Sequence, residues 1–260
     1  MIDTHCHLTY NGLAERVEDV LAGARDAGVD RMVTIGTRPD DACKAVALAE
    51  RFDNVYAAVG VHPHYAGEHT DRGFVEQTLR ELLAHPKVIA IGEMGLDRHY
   101  PEPSIEVQQR VLEWQLAIAA SMPERPIIIH NRKATDDIIA VLRSSGIAPQ
   151  RFVFHCFTGS PAEMDAILAF GAMVGFTGIV TFQSATELAD CTARIPADRL
   201  LIETDSPYLT PAPHRKVKTN EPKYVALVAQ FIAAKRNMEV EAFTALADAN
   251  AERFFRLTRP

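Results

Sequence analysis

The chain has 260 residues, a length normal for one α/β barrel, and 47% of them are hydrophobic, which suits a protein with a large core. Its 27 basic and 34 acidic side chains give a formal net charge of −7, which argues against a protein that coats nucleic acid through bulk positive charge. No apolar stretch approaches the roughly 20 residues of a membrane-spanning helix, and the first residues lack a signal-peptide pattern. Because the four cysteines are also far apart, as in reduced proteins, we expect a cytoplasmic protein without a membrane partner.

Short apolar runs alternate with amphipathic segments along the whole chain. Eight of these runs predict β-strands, and most are continuously apolar, as expected of strands buried on both faces. In chain order the predicted strands are Met1–Cys6, Arg31–Gly36, Val55–Val61, Val88–Glu93, Pro126–His130, Phe152–Cys156, Ala172–Phe176 and Leu200–Asp205.

The segments between the runs have the apolar spacing of helices. They are Glu15–Ala27, Pro39–Arg51, Asp71–Ala84, Ser104–Ser121, Thr135–Ser144, Pro161–Phe170, Ser184–Arg194 and Glu221–Arg236, with Val240–Leu257 after the eighth pair. Eight strand–helix pairs predict an α/β fold, a (β/α)8 TIM barrel with an added C-terminal helix, formed as a single domain over residues 1–260. The alternative is an open doubly wound sheet, but the chain has no glycine-rich dinucleotide or P-loop motif.

Six of the eight predicted strands lead into a histidine or a carboxylate. The carboxyl ends of barrel strands share one face, where catalytic side chains collect. We therefore expect these side chains on that face: His5 and His7 after the first strand, His62 and His64 after the third, Glu93 after the fourth, His130 after the fifth, His155 after the sixth and Asp205 after the eighth.

These residue types are typical of a metal centre. His5 and His7 point to the same side of their strand because side chains alternate along it. Taken alone, His130 or His155 is more typical of a hydrogen-bonded core histidine, and Asp205 is also compatible with a helix or turn cap. Four histidines and two carboxylates together exceed the ligands of one tetrahedral zinc site and suit two cations about 3.5–4 Å apart. Nitrogen and oxygen ligands fit zinc, manganese or magnesium, and the sequence does not choose among them.

The order of these motifs resembles that in the TatD-type metal-dependent hydrolases, which are deoxyribonucleases of the amidohydrolase superfamily. The resemblance runs from the first strand almost to the C terminus. It rests on Asp3-Thr4-His5-Cys6-His7, Gly60-Val61-His62-Pro63-His64, Gly92-Glu93-Met94-Gly95-Leu96-Asp97, His130-Asn131-Arg132-Lys133-Ala134 with Asp137, His155-Cys156-Phe157-Thr158-Gly159, Glu203-Thr204-Asp205-Ser206-Pro207-Tyr208-Leu209 and Asn220-Glu221-Pro222.

The resemblance implies a ligand set and a reaction. It assigns one divalent cation to His5, His7, Glu93 and Asp205, and a second, bridged by Glu93, to His130 and His155. It makes Asp205 the general base for the attacking water. It further implies 3′→5′ hydrolysis of phosphodiesters in single-stranded DNA, with no obligate protein partner. The residues near the substrate phosphate would be His62, His64 and Arg132.

Several stretches depart from the family pattern, and one of them precedes Asn220. A glycine expected before Asn220 is absent, and the segment 214–219 is more basic than usual. That segment is either a rim for phosphate groups or a solvated loop.

Other functions fit parts of the sequence. The same cations would serve an ester or amide hydrolase, such as a deacylase, because metal-activated water attacks both kinds of bond. A barrel that binds metal only for structural reasons is the non-catalytic alternative. A sequence-specific DNA-binding protein is disfavoured, because the chain has neither helix-turn-helix nor zinc-finger spacing and its net charge is negative.

Overall fold

A computed structural model describes residues 1–257, which contain eight strands in one sheet, in the order β1 to β8 along the chain. The pairs β1–β2, β3–β4, β4–β5, β5–β6 and β7–β8 are parallel. The strands are β1 (Ile2–Cys6), β2 (Arg31–Gly36), β3 (Val55–Val59), β4 (Val88–Asp97), β5 (Ile127–Arg132), β6 (Phe152–Phe154), β7 (Met173–Phe176) and β8 (Leu200–Ile202).

Helices alternate with these strands. They are α1 (Val17–Asp26), α2 (Pro39–Arg51), α3 (Arg72–Leu83), α4 (Ile105–Ala120), α5 (Thr135–Ser144), α6 (Pro161–Phe170), α7 (Thr186–Arg194), α8 (Val225–Lys235) and α9 (Val240–Phe255). Eight parallel strands in chain order, each followed by a helix, are the (β/α)8 architecture, and α9 is the added C-terminal helix. The predicted fold class is confirmed. Among the described residues, every helix is too short or too polar to cross a bilayer.

The chain divides into two compact units, each with its own buried side chains. The first unit comprises Met1–Thr34, Cys156–Asp165 and the chain from Val174, and its core includes fully buried Leu8 and Phe243. The second unit comprises Ile35–His155 and Ala166–Met173. Its fully buried side chains include Leu79, Ile91 and Phe154.

Five strands end at a different residue from the one predicted: Val55–Val61 ends at Val59, and Pro126–His130 continues to Arg132. The predicted strand Phe152–Cys156 ends at Phe154, and Leu200–Asp205 ends at Ile202. Shortly after both ends the chain turns out of extended conformation, with positive φ angles of 46° at Cys156 and 53° at Asp205. Val88–Glu93 instead continues to Asp97, since β4 keeps pairing with β5 up to that residue.

Five helices begin one to four residues later than the apolar spacing predicts, and a 3₁₀ turn leads directly into two of them. Ala14–Arg16 and Pro222–Tyr224 form short 3₁₀ turns, and α1 and α8 begin immediately after them. The prediction starts these helices at Glu15 and Glu221. A 3₁₀ turn is a frequent lead into an α-helix and has nearly the same apolar spacing, so periodicity does not separate the two.

Candidate metal centre

In the second unit, strand register brings one histidine between two carboxylates. Gly95 of β4 pairs with His130 of β5. Side chains alternate along a strand, so Glu93 and Asp97, two residues before and after Gly95, lie on one face of β4. A Cβ atom at Gly95 would overlap the backbone carbonyl of His130, so the glycine permits the close approach of the two strands. The imidazole of His130 therefore has a carboxylate on each side.

Both ring nitrogens of His130 contact these carboxylates. Nδ1 lies 2.8 Å from Oε1 of Glu93, and Nε2 lies 2.9 Å from Oδ2 of Asp97. Glu93 and Asp97 are both buried. A carboxylate behind one ring nitrogen fixes the orientation of the ring and leaves the other nitrogen directed into the site.

Two more histidines lie near the carboxylate of Glu93. Nε2 of His155 lies 2.6 Å from Oε1 of Glu93, and Nε2 of His62 lies 3.4 Å from the same oxygen. Nδ1 of His62 accepts the backbone N–H of His64, so neutral His62 has its proton on Nε2, which faces Glu93. Three imidazole nitrogens thus converge on one carboxylate oxygen.

His64 and Arg132 lie at the edge of this cluster. Nε2 of His64 is 2.8 Å from Oδ2 of Asp97, and its ring packs edge-on against exposed Tyr100. The guanidinium of Arg132 lies over the same tyrosine ring, 5.5 Å from its centroid. Each of these two polar side chains remains partly exposed.

The pKa directions in the cluster follow from its contacts. Burial alone would raise the pKa of Glu93, but interactions with the imidazoles of His155 and His62 hold it well below the usual value. Burial also raises the pKa of Asp97. Hydrogen bonds from His130, His64 and the His99 amide outweigh burial, so the pKa of Asp97 lies below its usual value. Burial lowers the pKa of His62 to about 4, despite the nearby charge of Glu93. Both carboxylates are therefore ionised at neutral pH, and His62 is neutral.

The first unit holds His5, His7 and Asp205 together. Nε2 of His7 lies 3.2 Å from Oδ1 of Asp205, and Nε2 of His5 lies 3.7 Å from the same oxygen. The backbone fixes this arrangement, because Asp205 donates its N–H to the carbonyl of His5 and His7 donates to the carbonyl of Ser206. The segment after β8 thus runs beside the end of β1 and places a carboxylate next to both histidines.

Buried Asp3 holds the segment next to Asp205 in place through hydrogen bonds. Its carboxyl accepts the N–H and hydroxyl of Thr204 at 2.9 and 2.6 Å, and the N–H of His5 at 3.3 Å. Burial raises the pKa of Asp3 to about 8, although these hydrogen bonds act against the rise. Asp3 therefore links the backbone next to His5 with the backbone next to Asp205.

The side chains present fit divalent cations. In the second unit, nitrogen and oxygen atoms of His62, Glu93 and His130 lie within 4.8 Å of one another, as do those of His64, Asp97 and His130. Buried imidazoles beside ionised carboxylates are the ligand types that zinc and manganese accept. In the first unit, His5, His7 and Asp205 offer the same chemistry.

Sequence reasoning gave no role to Asp97. The predicted strand ends at Glu93 and leaves Asp97 outside it, as part of the Gly92–Asp97 motif. The signal was the spacing of the two carboxylates, four residues apart, which places both on one face if the strand continues. For the predicted substrate-contact residues, the structure brings His62 against Glu93 and leaves Arg132 at the edge beside Tyr100.

Comparison with known proteins decides the family. The family model described as TatD related DNase matches residues 2–256 of the chain. The chain belongs to this family. It is 39% identical over 257 residues to a protein of Bacillus subtilis (strain 168) named "Uncharacterized metal-dependent hydrolase YabD", with 99% of each chain covered. It is 38% identical over 264 residues to a protein of Erwinia billingiae named "3'-5' ssDNA/RNA exonuclease TatD", with 99% of each covered.

Solved structures agree with this assignment. The TatD homologue YjjV of Escherichia coli K12 superposes with a TM-score of 0.92 at 29% identity, covering 99% of this chain and 98% of that one. The chain is therefore a TatD-family metal-dependent hydrolase, and its histidines and carboxylates are candidate ligands for the metal.

The depressed pKa of Asp97 predicts a pH-dependent contribution to stability in metal-free protein. A carboxylate with a folded-state pKa below its unfolded value, about 4, stabilises the fold above that value and loses this effect as pH falls through the folded pKa. We expect the difference in free energy of unfolding between wild type and Asp97→Asn, measured by urea denaturation in EDTA, to be constant between pH 5 and 6 and to shrink below about pH 4. The exposed Asp198→Asn is the control, and a difference that does not change with pH would contradict the prediction.

Proposed function

We propose that this hydrolase uses two divalent cations, Mg²⁺, Mn²⁺ or Zn²⁺, to cleave phosphodiester bonds of single-stranded DNA from the 3′ end. The observation that carries the proposal is the convergence of His62, His130 and His155 on one oxygen of buried Glu93. Such a concentration of ligand atoms suits a cation that stabilises charge on phosphoryl oxygens. The name of the Erwinia relative, an exonuclease on single-stranded DNA and RNA, supports this substrate class. A cytoplasmic location remains a prediction from the sequence.

We assign the ligands by unit. His5, His7 and Asp205 are the proposed ligands in the first unit, and the proposed ligands in the second unit are Glu93, His130 and His155. Because Nε2 of His130 faces Asp97, Nδ1 is the nitrogen we propose as ligand. When bound, the cations supply Lewis acidity and lower the pKa of water at the site.

Asp205 is the proposed general base. Its carboxylate already accepts from His7 and is partly exposed, so a water molecule has access to it. On attack, Asp205 takes the proton that the water loses, and the leaving 3′ oxygen takes up a proton from solvent. The base is held in place by its backbone bond to His5 and by the contact with His7.

Three residues are proposed to hold the phosphate group. His62 is neutral, and its Nε2–H is a donor that carries no charge into the buried cluster. Arg132 offers a planar guanidinium that forms two parallel hydrogen bonds to phosphate oxygens. His64, held by Asp97, completes this set at the edge of the cluster.

The proposal is tested by one set of assays on a single preparation. A 20-nucleotide strand labelled at its 5′ end is incubated with protein that has been stripped of metal and reloaded with Mg²⁺, Mn²⁺ or Zn²⁺. We expect a ladder of products shortened from the 3′ end, slower cleavage of duplex DNA, and no cleavage in EDTA. The Asp205→Asn variant, prepared in parallel, controls for a contaminating nuclease.

Acyl substrates distinguish phosphodiester hydrolysis from the alternative reaction, which is ester or amide hydrolysis. The same samples are given 4-nitrophenyl acetate and an N-acetylated amino acid. DNA that stays intact with every metal, together with metal-dependent release from the acyl substrates, would show that the chain is an ester or amide hydrolase instead.

A further inference from the structure

The segment from Ser206 to Asn220, which follows Asp205 directly, has no part in the proposed chemistry. Its 15 residues include no acid, and four of them are His214, Arg215, Lys216 and Lys218. All four are exposed. Within the described part of the chain, neither lysine has a carboxylate within ion-pair distance. A protein with a net charge of −7 therefore has a local concentration of positive charge close, along the chain, to its proposed base.

Contacts within the first unit give this segment a fixed path. The amide group of Asn220 donates to the carbonyls of Thr204 and Tyr208, and its backbone N–H donates to the carbonyl of Pro207. The guanidinium of Arg215 packs over the ring of Phe182, 3.4 Å from its centroid. Arg215 is thus used to hold the segment, and the two lysines remain for contacts with a ligand.

An exposed aromatic ring stands at the start of the same segment. Tyr208 is 53% exposed, and its ring centroid lies 6.4 Å from that of His7 and 6.3 Å from that of Tyr10. Tyr10 in turn stacks on His7 at 4.6 Å. Because His7 contacts Asp205, the exposed ring is only one side chain away from the proposed base.

We propose that Tyr208, Lys216 and Lys218 form a track for single-stranded nucleic acid. Tyr208 stacks on the base next to the phosphodiester at Asp205, and the lysines contact backbone phosphates farther along the strand. An aromatic ring beside a basic groove is how single strands are held without sequence preference. A duplex cannot use the ring in this way, because its bases are already stacked on each other. An acidic peptide would supply negative charges for the two lysines but no base to stack on Tyr208.

The track rests on the proposed function, since it positions the strand whose phosphodiester is attacked by the water that Asp205 deprotonates. It is nevertheless tested by binding, which does not require cleavage. The probe is a fluorescein-labelled dT12 whose 3′-terminal linkages are phosphorothioates, titrated with metal-loaded protein and followed by fluorescence anisotropy. If this probe binds as expected but unmodified DNA is never cleaved, the proposed function fails and the track stands.

Aromatic variants test the stacking. We expect Tyr208→Ala and Tyr208→Leu to weaken binding of dT12 about 10-fold, which is within the range for loss of one base–aromatic stack. Tyr208→Phe keeps the ring and should bind within about twofold of wild type. Phe74→Ala is the matched control, because Phe74 is also 53% exposed but lies on α3. Melting temperatures confirm that each variant is folded, and the proposal is overturned if Tyr208→Leu binds as tightly as Phe74→Ala.

Lysine variants test the phosphate contacts. In single strands, each phosphate contact contributes about 0.7 to the slope of log affinity against log salt concentration. We expect Lys216→Ser/Lys218→Ser to lower that slope by about 1.4. The control Lys44→Ser/Lys235→Ser removes the same charge from exposed positions on α2 and α8 and should leave the slope unchanged. Equal slopes in the two double variants, or displacement of dT12 by polyglutamate as readily as by unlabelled dT12, would refute the track.

Discussion

Replacing Asp205 with asparagine is expected to lower kcat for phosphodiester hydrolysis by about 10²- to 10⁴-fold, the range for loss of a general base. Asparagine has nearly the shape of aspartate but does not take up the proton from the attacking water. The φ angle of 53° at this position also favours asparagine over other substitutes, because asparagine tolerates left-handed backbone. The variant should therefore keep its fold, and the loss should appear in kcat.

Single-turnover kinetics separate this loss from weaker substrate binding. KM for single-stranded DNA should change much less than kcat, because the proposed strand contacts lie at other residues. Asp198→Asn, an exposed substitution of the same chemical type, is the control and should behave as wild type. A loss confined to KM, or a rate within threefold of wild type, would remove Asp205 from the role of base.

The fold followed from the sequence because its main signals are local. Continuous apolar runs predict buried strands, and a proline at a first helical position sets a boundary without help from the rest of the chain. Pro39–Arg51 and Pro161–Phe170 begin at the predicted residues for that reason, and both also end where predicted. Thr135–Ser144 also has the predicted bounds, although its start is not marked by proline.

The contacts of the candidate site depended on relationships that a local pattern does not contain. The role of Asp97 follows from the pairing of Gly95 with His130, which is a property of two strands. The position of His62 depends on the 3₁₀ turn Pro63–Tyr65, which brings its ring to Glu93. The turn at Asp205 depends on backbone bonds to β1. Residue types at strand ends therefore predicted which side chains matter but not which atoms meet.

Asp97 and Glu93 make a matched pair because both contact His130 but only Glu93 is a proposed ligand. Asp97→Asn keeps an acceptor for Nε2 of His130 and loses the negative charge, so the ring is oriented less firmly. We expect it to weaken metal binding about 10- to 100-fold, as for other outer partners of ligating histidines. Glu93→Gln removes a charged ligand atom on which three imidazoles converge, and its effect should exceed that range.

The readout is the stability that metal adds, measured as the rise in melting temperature during titration of stripped protein with Mn²⁺, with calorimetry for the dissociation constant. At 100 times its dissociation constant a ligand stabilises the folded state by about 2.7 kcal/mol. At that wild-type concentration, the part of the gain that comes from the second-unit cation should be partly kept in Asp97→Asn and almost lost in Glu93→Gln, whereas Asp198→Asn should keep all of it. Hydrolytic activity should fall in the same order, least in Asp198→Asn and most in Glu93→Gln. In Asp97→Asn it should return when the concentration of Mn²⁺ is raised. Equal losses in the two variants would mean that Asp97 is itself a ligand, and a full gain in Glu93→Gln would place the cation elsewhere.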